Sequence, residues 1–131
     1  MACEPKSALR ARLLVSAALN IWDAGGLVDS GTLIVSELFA NAVKHTRCSA
    51  VRVLIRRPAD GVIRIGVADR SHDIPLMHCP VIDPENEDVD EEADEGGRGL
   101  VLVDALSWRW GYDRRRWGKV VWAELRIERS A

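Results

Sequence analysis

Alternation of apolar and polar residues with a period of two constrains this fold more than any other feature of the sequence. The stretches SAVRVLIRR (49–57) and GVIRIGVAD (61–69) both alternate, and turn-forming residues lie between them. This pattern predicts an antiparallel hairpin with one apolar face. A second pair of strands is predicted around a basic turn in 107–127, with four residues alternating inward on the last strand: Val121, Ala123, Leu125 and Ile127.

Helical spacing predicts three helices that could cover the apolar face of such a sheet. The first runs from about Ser7 to Trp22, and its apolar positions are Leu9, Leu13, Ala17 and Ile21. The second begins near Ser30, because Asp29 and Ser30 are good caps, and ends near His45. The third follows the glycine-rich stretch GGRG and is apolar on nearly all sides.

The order helix, helix, hairpin, loop, helix, hairpin predicts an α/β protein, a two-layer sandwich with helices on one face of a mixed, mostly antiparallel sheet. With 131 residues, the chain fits one domain over 1–131. The segment 71–95 is predicted as a loop, because three prolines are followed by a strongly acidic run. This loop is either a solvated tether or a recognition element.

Composition excludes several classes of protein. The chain is 47% hydrophobic and 29% charged, with a formal net charge of -2, which fits a globular protein and gives no electrostatic support for a generic nucleic-acid binder. No apolar stretch is long enough to span a membrane, and the apolar run after Arg12 lacks a convincing signal-peptide cleavage site. The three cysteines are far apart, which favours a reducing, cytoplasmic setting.

The stretch VSELFANAVKHT (35–46) places polar residues inside an otherwise apolar helix. On a helical wheel four of them fall within a sector of about 100°: Glu37, Asn41, Lys44 and His45. This sector is either a solvent-exposed stripe or the floor of a site. Helix propensity does not favour Asn in mid-helix. A Glu and an Asn one turn apart can act together, because an amide oxygen ligates Mg²⁺ while a carboxylate accepts a proton.

Two further features are candidates for ligand contacts. The glycine stretch 96–99 precedes a helix, where backbone amides attract anions, although a tight turn required by packing explains it equally well. Asp69 ends the row of inward residues on the second strand. It either pairs with a nearby arginine or backbone amide, or accepts a hydrogen bond from the amine of adenine, which guanine lacks at that position.

Two other clusters are better explained without a ligand. Four tryptophans interleave with arginines in 108–122, and paired strands more often use such aromatics for packing than for stacking on nucleic acid. His72, His78 and Cys79 lie in the predicted loop without metal-ligand spacing.

In this order the motifs resemble those of the GHKL or Bergerat-fold ATPases, and most closely the small single-domain branch of the anti-sigma-factor serine kinases. VSELFANAVKHT resembles the N box of that family. The resemblance implies Glu37 as the catalytic base, Asn41 as the Mg²⁺ ligand, Lys44 near phosphate and His45 near the nucleotide. VADRS resembles the first glycine box, which implies that Asp69 binds adenine.

The remaining motifs lie nearer the C-terminus of the chain. GGRGLVLVDAL resembles the second glycine box, which implies four ATP-binding residues: Gly97, Arg98, Gly99 and Leu100. GKVVWAEL resembles the closing strand, which implies that Gly118 and Lys119 lie near the triphosphate. The acidic loop 71–95 occupies the place of the ATP lid of the family.

The resemblance implies ATP and Mg²⁺ as cofactors and a regulator with serine-protein kinase activity. It implies a protein partner, either a sigma-like factor or an anti-sigma antagonist, and allows a homodimer; neither nucleic acid nor a membrane is an expected direct partner. Both glycines of the usual D-x-G-x-G pattern after Asp69 are absent, since the sequence reads DRSHD. The alternative is therefore a module that binds nucleotide weakly or not at all and sequesters its partner.

Overall fold

A computed structural model describes residues 5–45, 51–70 and 100–127. The described elements are α1 (Pro5–Ile21), a 3-10 turn (Gly25–Leu27), α2 (Val28–His45), β1 (Arg52–Ala59), β2 (Val62–Asp69), α3 (helical residues 100–106), β3 (Arg109–Arg115) and β4 (Gly118–Arg126). The predicted acidic loop 71–95 and the glycine stretch 96–99 lie outside the described residues.

The four described strands form one sheet in the order β1-β2-β4-β3, and every neighbouring pair is antiparallel. Both predicted hairpins are confirmed. The β1–β2 turn contains Gly61, whose φ of +76° suits a residue without a Cβ. The pairing of β2 with β4 joins the two hairpins and places Val67 opposite Val121.

One face of the sheet carries the core, as the alternation predicted. The residues Ile63, Ile65 and Val67 of β2 and Val121, Ala123 and Leu125 of β4 are at most 3% exposed. They form one cluster with buried residues of α1 and α2 and with Val103 of α3. The predicted two-layer α/β sandwich with helices on one face is therefore confirmed.

The second helix begins two residues earlier than predicted. The 3-10 turn runs directly into α2 at Val28, and Asp29 lies in the first turn instead of capping it. A carboxylate in the first turn interacts favourably with the partial positive charge of a helix N-terminus. The hydroxyl of Thr32 donates to the carbonyl oxygen of Val28 at 2.8 Å, which also holds this turn. The predicted end at His45 is confirmed.

The first helix is confirmed, but its buried face is not the one that the apolar spacing picked out. Leu9, Leu13 and Ile21 are 54%, 60% and 80% exposed, and Ala17 is exposed as well. The buried stripe is instead Ser7, Ala11, Val15 and Leu19. Close packing on α2 depends on Gly31, because a Cβ there would lie 2.8 Å from Leu19 Cδ1 and 3.2 Å from Val15 Cγ1. No helix among the described residues has the length and hydropathy of a membrane span.

Candidate functional site

A buried ion pair lies where the ends of β2 and β4 meet. Asp69 and Lys119 are opposite each other in the register of these strands, and both side chains point to the helix-covered face. The Lys119 Nζ donates to Asp69 Oδ1 at 3.2 Å, and the two residues are 0% and 2% exposed. Burial of two charges is tolerated only when they satisfy each other or a bound ligand. The pair is therefore the strongest polar feature of the described core.

Gly118 brings the two strand ends together at this pair. A Cβ at this position would lie 2.0 Å from the carbonyl oxygen of Asp69 and 2.6 Å from the Cα of Arg70. Its φ of +154° is also one that residues with a side chain rarely adopt. The glycine expected near the triphosphate thus has a definite backbone role, which is to let β4 approach the end of β2.

The polar sector of α2 is more buried than a solvent-exposed stripe would be. Asn41 is only 6% exposed and lies about two turns after Ile34, which is fully buried. Glu37, one turn before Asn41, is half-buried. Because α2 packs against β2, this sector and the Asp69–Lys119 pair lie on neighbouring elements.

Asn41 also has an unsatisfied hydrogen-bonding group. Its Nδ2 is buried and has no hydrogen-bond partner among the described residues. Most buried polar side-chain atoms in proteins are hydrogen-bonded, so an unsatisfied buried amide calls for an explanation such as a ligand contact. This observation fits a polar ligand over α2.

The described residues also fit the kind of Mg²⁺ site that a nucleotide uses. They contain no group of three His, Cys, Asp or Glu that would form an all-protein cage. Magnesium bound with phosphates needs only one or two protein ligands and keeps several waters. Asn41 offers one such ligand, its amide oxygen, and Glu37 lies one helical turn away.

The remaining predicted site residues are less informative. Leu100 is 1% exposed and lies at the beginning of the described part of α3. The backbone of Lys44 and His45 belongs to the last turn of α2, but their side chains lie outside the described part. The same holds for the whole of Gly97, Arg98 and Gly99, whose roles stay predictions.

A second polar cluster, on the other face of the sheet, was missed from the sequence. Glu124 on β4 is fully buried, and it accepts hydrogen bonds from Arg64 Nε and Nη2 at 3.1 and 3.0 Å and from Arg109 Nε. Burial raises the pKa of the Glu124 carboxyl, but the hydrogen bonds from Arg109 and Arg64 outweigh it and hold that pKa below its usual value. Only the strand order brings these three residues together, so local spacing gives no signal for the cluster.

Arginines cover the tryptophans on that face of the sheet. The Arg64 guanidinium carbon lies 4.6 Å from the ring centre of Trp122, while Arg109 and Arg126 both lie 4.9 Å from that of Trp108. These are cation–π contacts within the protein. They agree with the interpretation of these aromatics as packing residues.

Two comparisons with known proteins bear on this site. A family model described as the histidine kinase-like ATPase domain matches residues 3–125. The match covers α1, α2 and all four strands and therefore includes Asn41, Asp69 and Lys119. A search of curated proteins finds no match.

Proposed function

The chain belongs to the histidine kinase-like ATPase domain family, and on this premise we propose that it is an ATP-binding regulator similar to the anti-sigma-factor serine kinases. The family is one of ATPase domains, so membership supports ATP binding. The serine-kinase activity, the need for Mg²⁺, the cytoplasmic setting and a sigma-like or antagonist protein partner are parts of the proposal. So is self-association into a homodimer, which sedimentation of the purified chain measures.

The observation that carries the proposal is the buried Asn41 on α2, with its Nδ2 lacking a partner among the described residues. Nδ2 is a donor, so leaving it unsatisfied costs about 1–3 kcal/mol, which an acceptor on a bound ligand, such as a phosphate oxygen, would offset. Asn41 is also the residue at the metal-ligand position of the N box. Its amide oxygen would hold Mg²⁺, and the bound metal would neutralise part of the negative charge of the phosphates.

The Asp69–Lys119 pair supports adenine as the base. Adenine presents an exocyclic amine, which donates, beside a ring nitrogen, which accepts. Asp69 would accept from the amine, and Lys119, whose Nζ lies 3.2 Å from that carboxylate, would hold the carboxylate in place. Guanine presents these groups in the opposite order, which disfavours it.

Glu37 is the residue we assign to proton transfer. It is half-buried and lies one turn from Asn41 on the face of α2 that faces the protein. As a carboxylate it would accept the proton of a serine hydroxyl on the partner while that oxygen attacks the γ-phosphorus. The bond from this phosphorus to the bridging oxygen would break, and ADP would leave.

Calorimetric titration with ATP and GTP in the presence of Mg²⁺ tests the proposed binding site. We expect selective ATP binding by the wild type and a loss of about tenfold or more in affinity for Asp69→Asn, because the amide cannot accept from adenine as a carboxylate does. Asp113→Asn is the matched control, since Asp113 is exposed on β3 and faces away from the helices. Equal losses in the two variants would contradict the role of Asp69.

Turnover of radiolabelled ATP tests Glu37 separately. We expect Glu37→Ala to lower phosphate transfer about a hundredfold or more, the usual effect of losing a general base, while ATP affinity stays within about threefold. Asp29→Asn, in the exposed first turn of the same helix, serves as the control. Undiminished turnover in Glu37→Ala would rule out the assigned role.

A second candidate function is a protein-binding module that regulates its partner without nucleotide. The ion pair favours it, because Lys119 already donates to Asp69 inside the protein. The DRSHD sequence, which lacks both glycines of the usual motif, favours it as well. Absence of heat with both ATP and GTP at high protein concentration would support this candidate over the first.

A further inference from the structure

The outer face of the sheet, meaning the side turned away from α1 and α2, has no role in the proposed nucleotide site. The strand register assigns its residues. Arg52, Leu54 and Arg56 of β1 lie opposite Ala68, Gly66 and Arg64 of β2. Val120, Trp122 and Glu124 of β4 face the same way, since they alternate with the core residues of that strand.

This face has a strong positive charge, although the whole chain has a net charge of -2. The described strands place six arginines on it: Arg52, Arg56, Arg64, Arg109, Arg115 and Arg126. Two carboxylates accompany them, Asp113 and Glu124. Half of the acidic residues of the chain lie instead in 71–99. The described outer face is therefore much more basic than the chain as a whole.

A groove of about 270 Å³ crosses the outer face. Its walls include Arg52, Arg56, Arg64, Arg115, Trp117 and Trp122. Between these walls the groove is lined by Gly66, which has no side chain and lies beside Val120 and Trp122 of the neighbouring strand. A ligand would therefore meet both guanidinium groups and hydrocarbon.

The arginines of β1 are the ones that remain available to a ligand. Arg52 and Arg56 are exposed and make no ion pair with a described residue. Arg64, by contrast, is committed to Glu124. Guanidinium groups bind carboxylates through two parallel hydrogen bonds, so two uncommitted arginines beside apolar lining residues suit an acidic peptide with interspersed apolar residues.

We propose that the outer face is a docking surface for an acidic segment of a partner protein, with its carboxylates on Arg52 and Arg56 and its apolar side chains against Leu54 and Trp117. The surface does not depend on nucleotide binding. Charge complementarity of this kind accelerates association and selects partners.

Of the two tryptophans that line the groove, Trp122 favours a protein segment over a single-stranded nucleic acid, whereas Trp117 is 50% exposed and does not discriminate. Nucleobases bind such surfaces by stacking on open aromatic rings. Here the guanidinium groups of Arg64 and Arg109 lie 4.6 and 5.8 Å from the ring centre of Trp122. The ring is therefore occupied from within the protein and offers little stacking surface.

The test is fluorescence anisotropy with three labelled probes: a short peptide of glutamate with interspersed leucine, the same peptide with glutamine for glutamate, and an oligothymidylate of equal length. We expect saturable binding of the acidic peptide that weakens as salt is added. We expect neither the glutamine peptide nor the oligonucleotide to bind comparably. Absence of saturable binding of the acidic peptide would overturn the proposal, as would tighter binding of the oligonucleotide.

Neighbouring arginines on β1 provide the matched variants. Arg56→Glu reverses a charge on the outer face, and Arg57→Glu reverses one on the opposite face, where Arg57 lies 5.7 Å from the ring centre of Trp22. We expect a loss of about tenfold or more for Arg56→Glu and of about twofold or less for Arg57→Glu. Equal losses would indicate non-specific attraction and refute the docking surface. Circular dichroism checks folding, and Arg52→Gln with Arg56→Gln repeats the test without a reversed charge.

Discussion

Among single residues, Gly118 has the tightest steric constraint in the described part of the chain. A Cβ there would lie 2.0 Å from a backbone oxygen, and backbone atoms cannot move aside as a flexible side chain can. We expect Gly118→Ala to lower the free energy of unfolding by about 2 kcal/mol or more. Urea denaturation followed by circular dichroism measures this.

Gly26→Ala is the matched control for that substitution. No atom lies within 4 Å of a Cβ built on Gly26, and its backbone is not in the left-handed region. We therefore expect a change within about 0.5 kcal/mol. If the two alanine variants have the same stability, the close approach of β4 to β2 is not as the structure shows.

The Asp69–Lys119 pair is the second residue-scale feature with a measurable consequence. Lys119→Met removes the ammonium group from a fully buried carboxylate, and Asp69→Asn removes the carboxylate from a fully buried ammonium group. We expect each to cost about 3 kcal/mol or more, since breaking a buried ion pair leaves a buried charge without that partner. The double variant should cost clearly less than the sum, which a double-mutant cycle in urea measures. Strict additivity would mean that the two groups do not interact.

One partner of this pair was foreseen from the sequence and the other was not. The two-residue period placed Asp69 on the inward face, since it shares parity with Val67. Lys119 lies two residues before Val121 on β4, so the same alternation points its side chain to the inward face. Its contact with Asp69, however, depends on β4 pairing with β2, and the period of a strand does not reveal its neighbours.

At the scale of secondary-structure elements, α1 shows why apolar spacing identifies a helix better than its buried face. Apolar residues surround this helix, so more than one stripe satisfies the helical period. The stripe that packs is the one whose Val15 and Leu19 face Gly31 of α2. For α2 the wheel placed Asn41 in a polar sector, whereas Ile34 on the same side shows that this sector adjoins the core.

The two stripes of α1 are expected to differ in their effect on stability. Leu19 is fully buried, so Leu19→Ala should lower the free energy of unfolding by about 2–5 kcal/mol. Leu13 is 60% exposed, so Leu13→Ala should change it by about 0.5 kcal/mol or less. Thermal or urea unfolding of both variants distinguishes the two positions. A larger loss at Leu13 would mean that the other face of α1 is covered.

For the molecule as a whole, Glu124 links stability to pH. Its folded-state pKa lies below the value of about 4.3 expected for an unfolded chain, so its stabilisation is complete above that value and is lost as the pH falls through the folded pKa. Glu124→Gln should therefore be less stable than the wild type at neutral pH, and the difference should shrink below about pH 4. Urea unfolding across this range measures it, with Asp113→Asn as an exposed control. A difference that is constant with pH would contradict the coupling.

The fold was more predictable than the contacts that form its sites. Local periods gave the helices, both hairpins and the sandwich, because each depends on residues close in sequence. The cluster of Arg64, Arg109 and Glu124 was not predicted, since three different strands contribute to it. The role of Gly118 at the backbone of Asp69 was missed for the same reason.

The strand order β1-β2-β4-β3 also has a consequence for the kinetics of folding. Each hairpin closes over a short turn, but Asp69 and Lys119 are 50 residues apart in the chain. Closing such a long loop costs more entropy than closing a hairpin, so we expect the hairpins to form before the centre of the sheet. Pulsed hydrogen exchange during refolding would show the order. The Asp69–Lys119 contact would then be completed only when the two halves of the chain join.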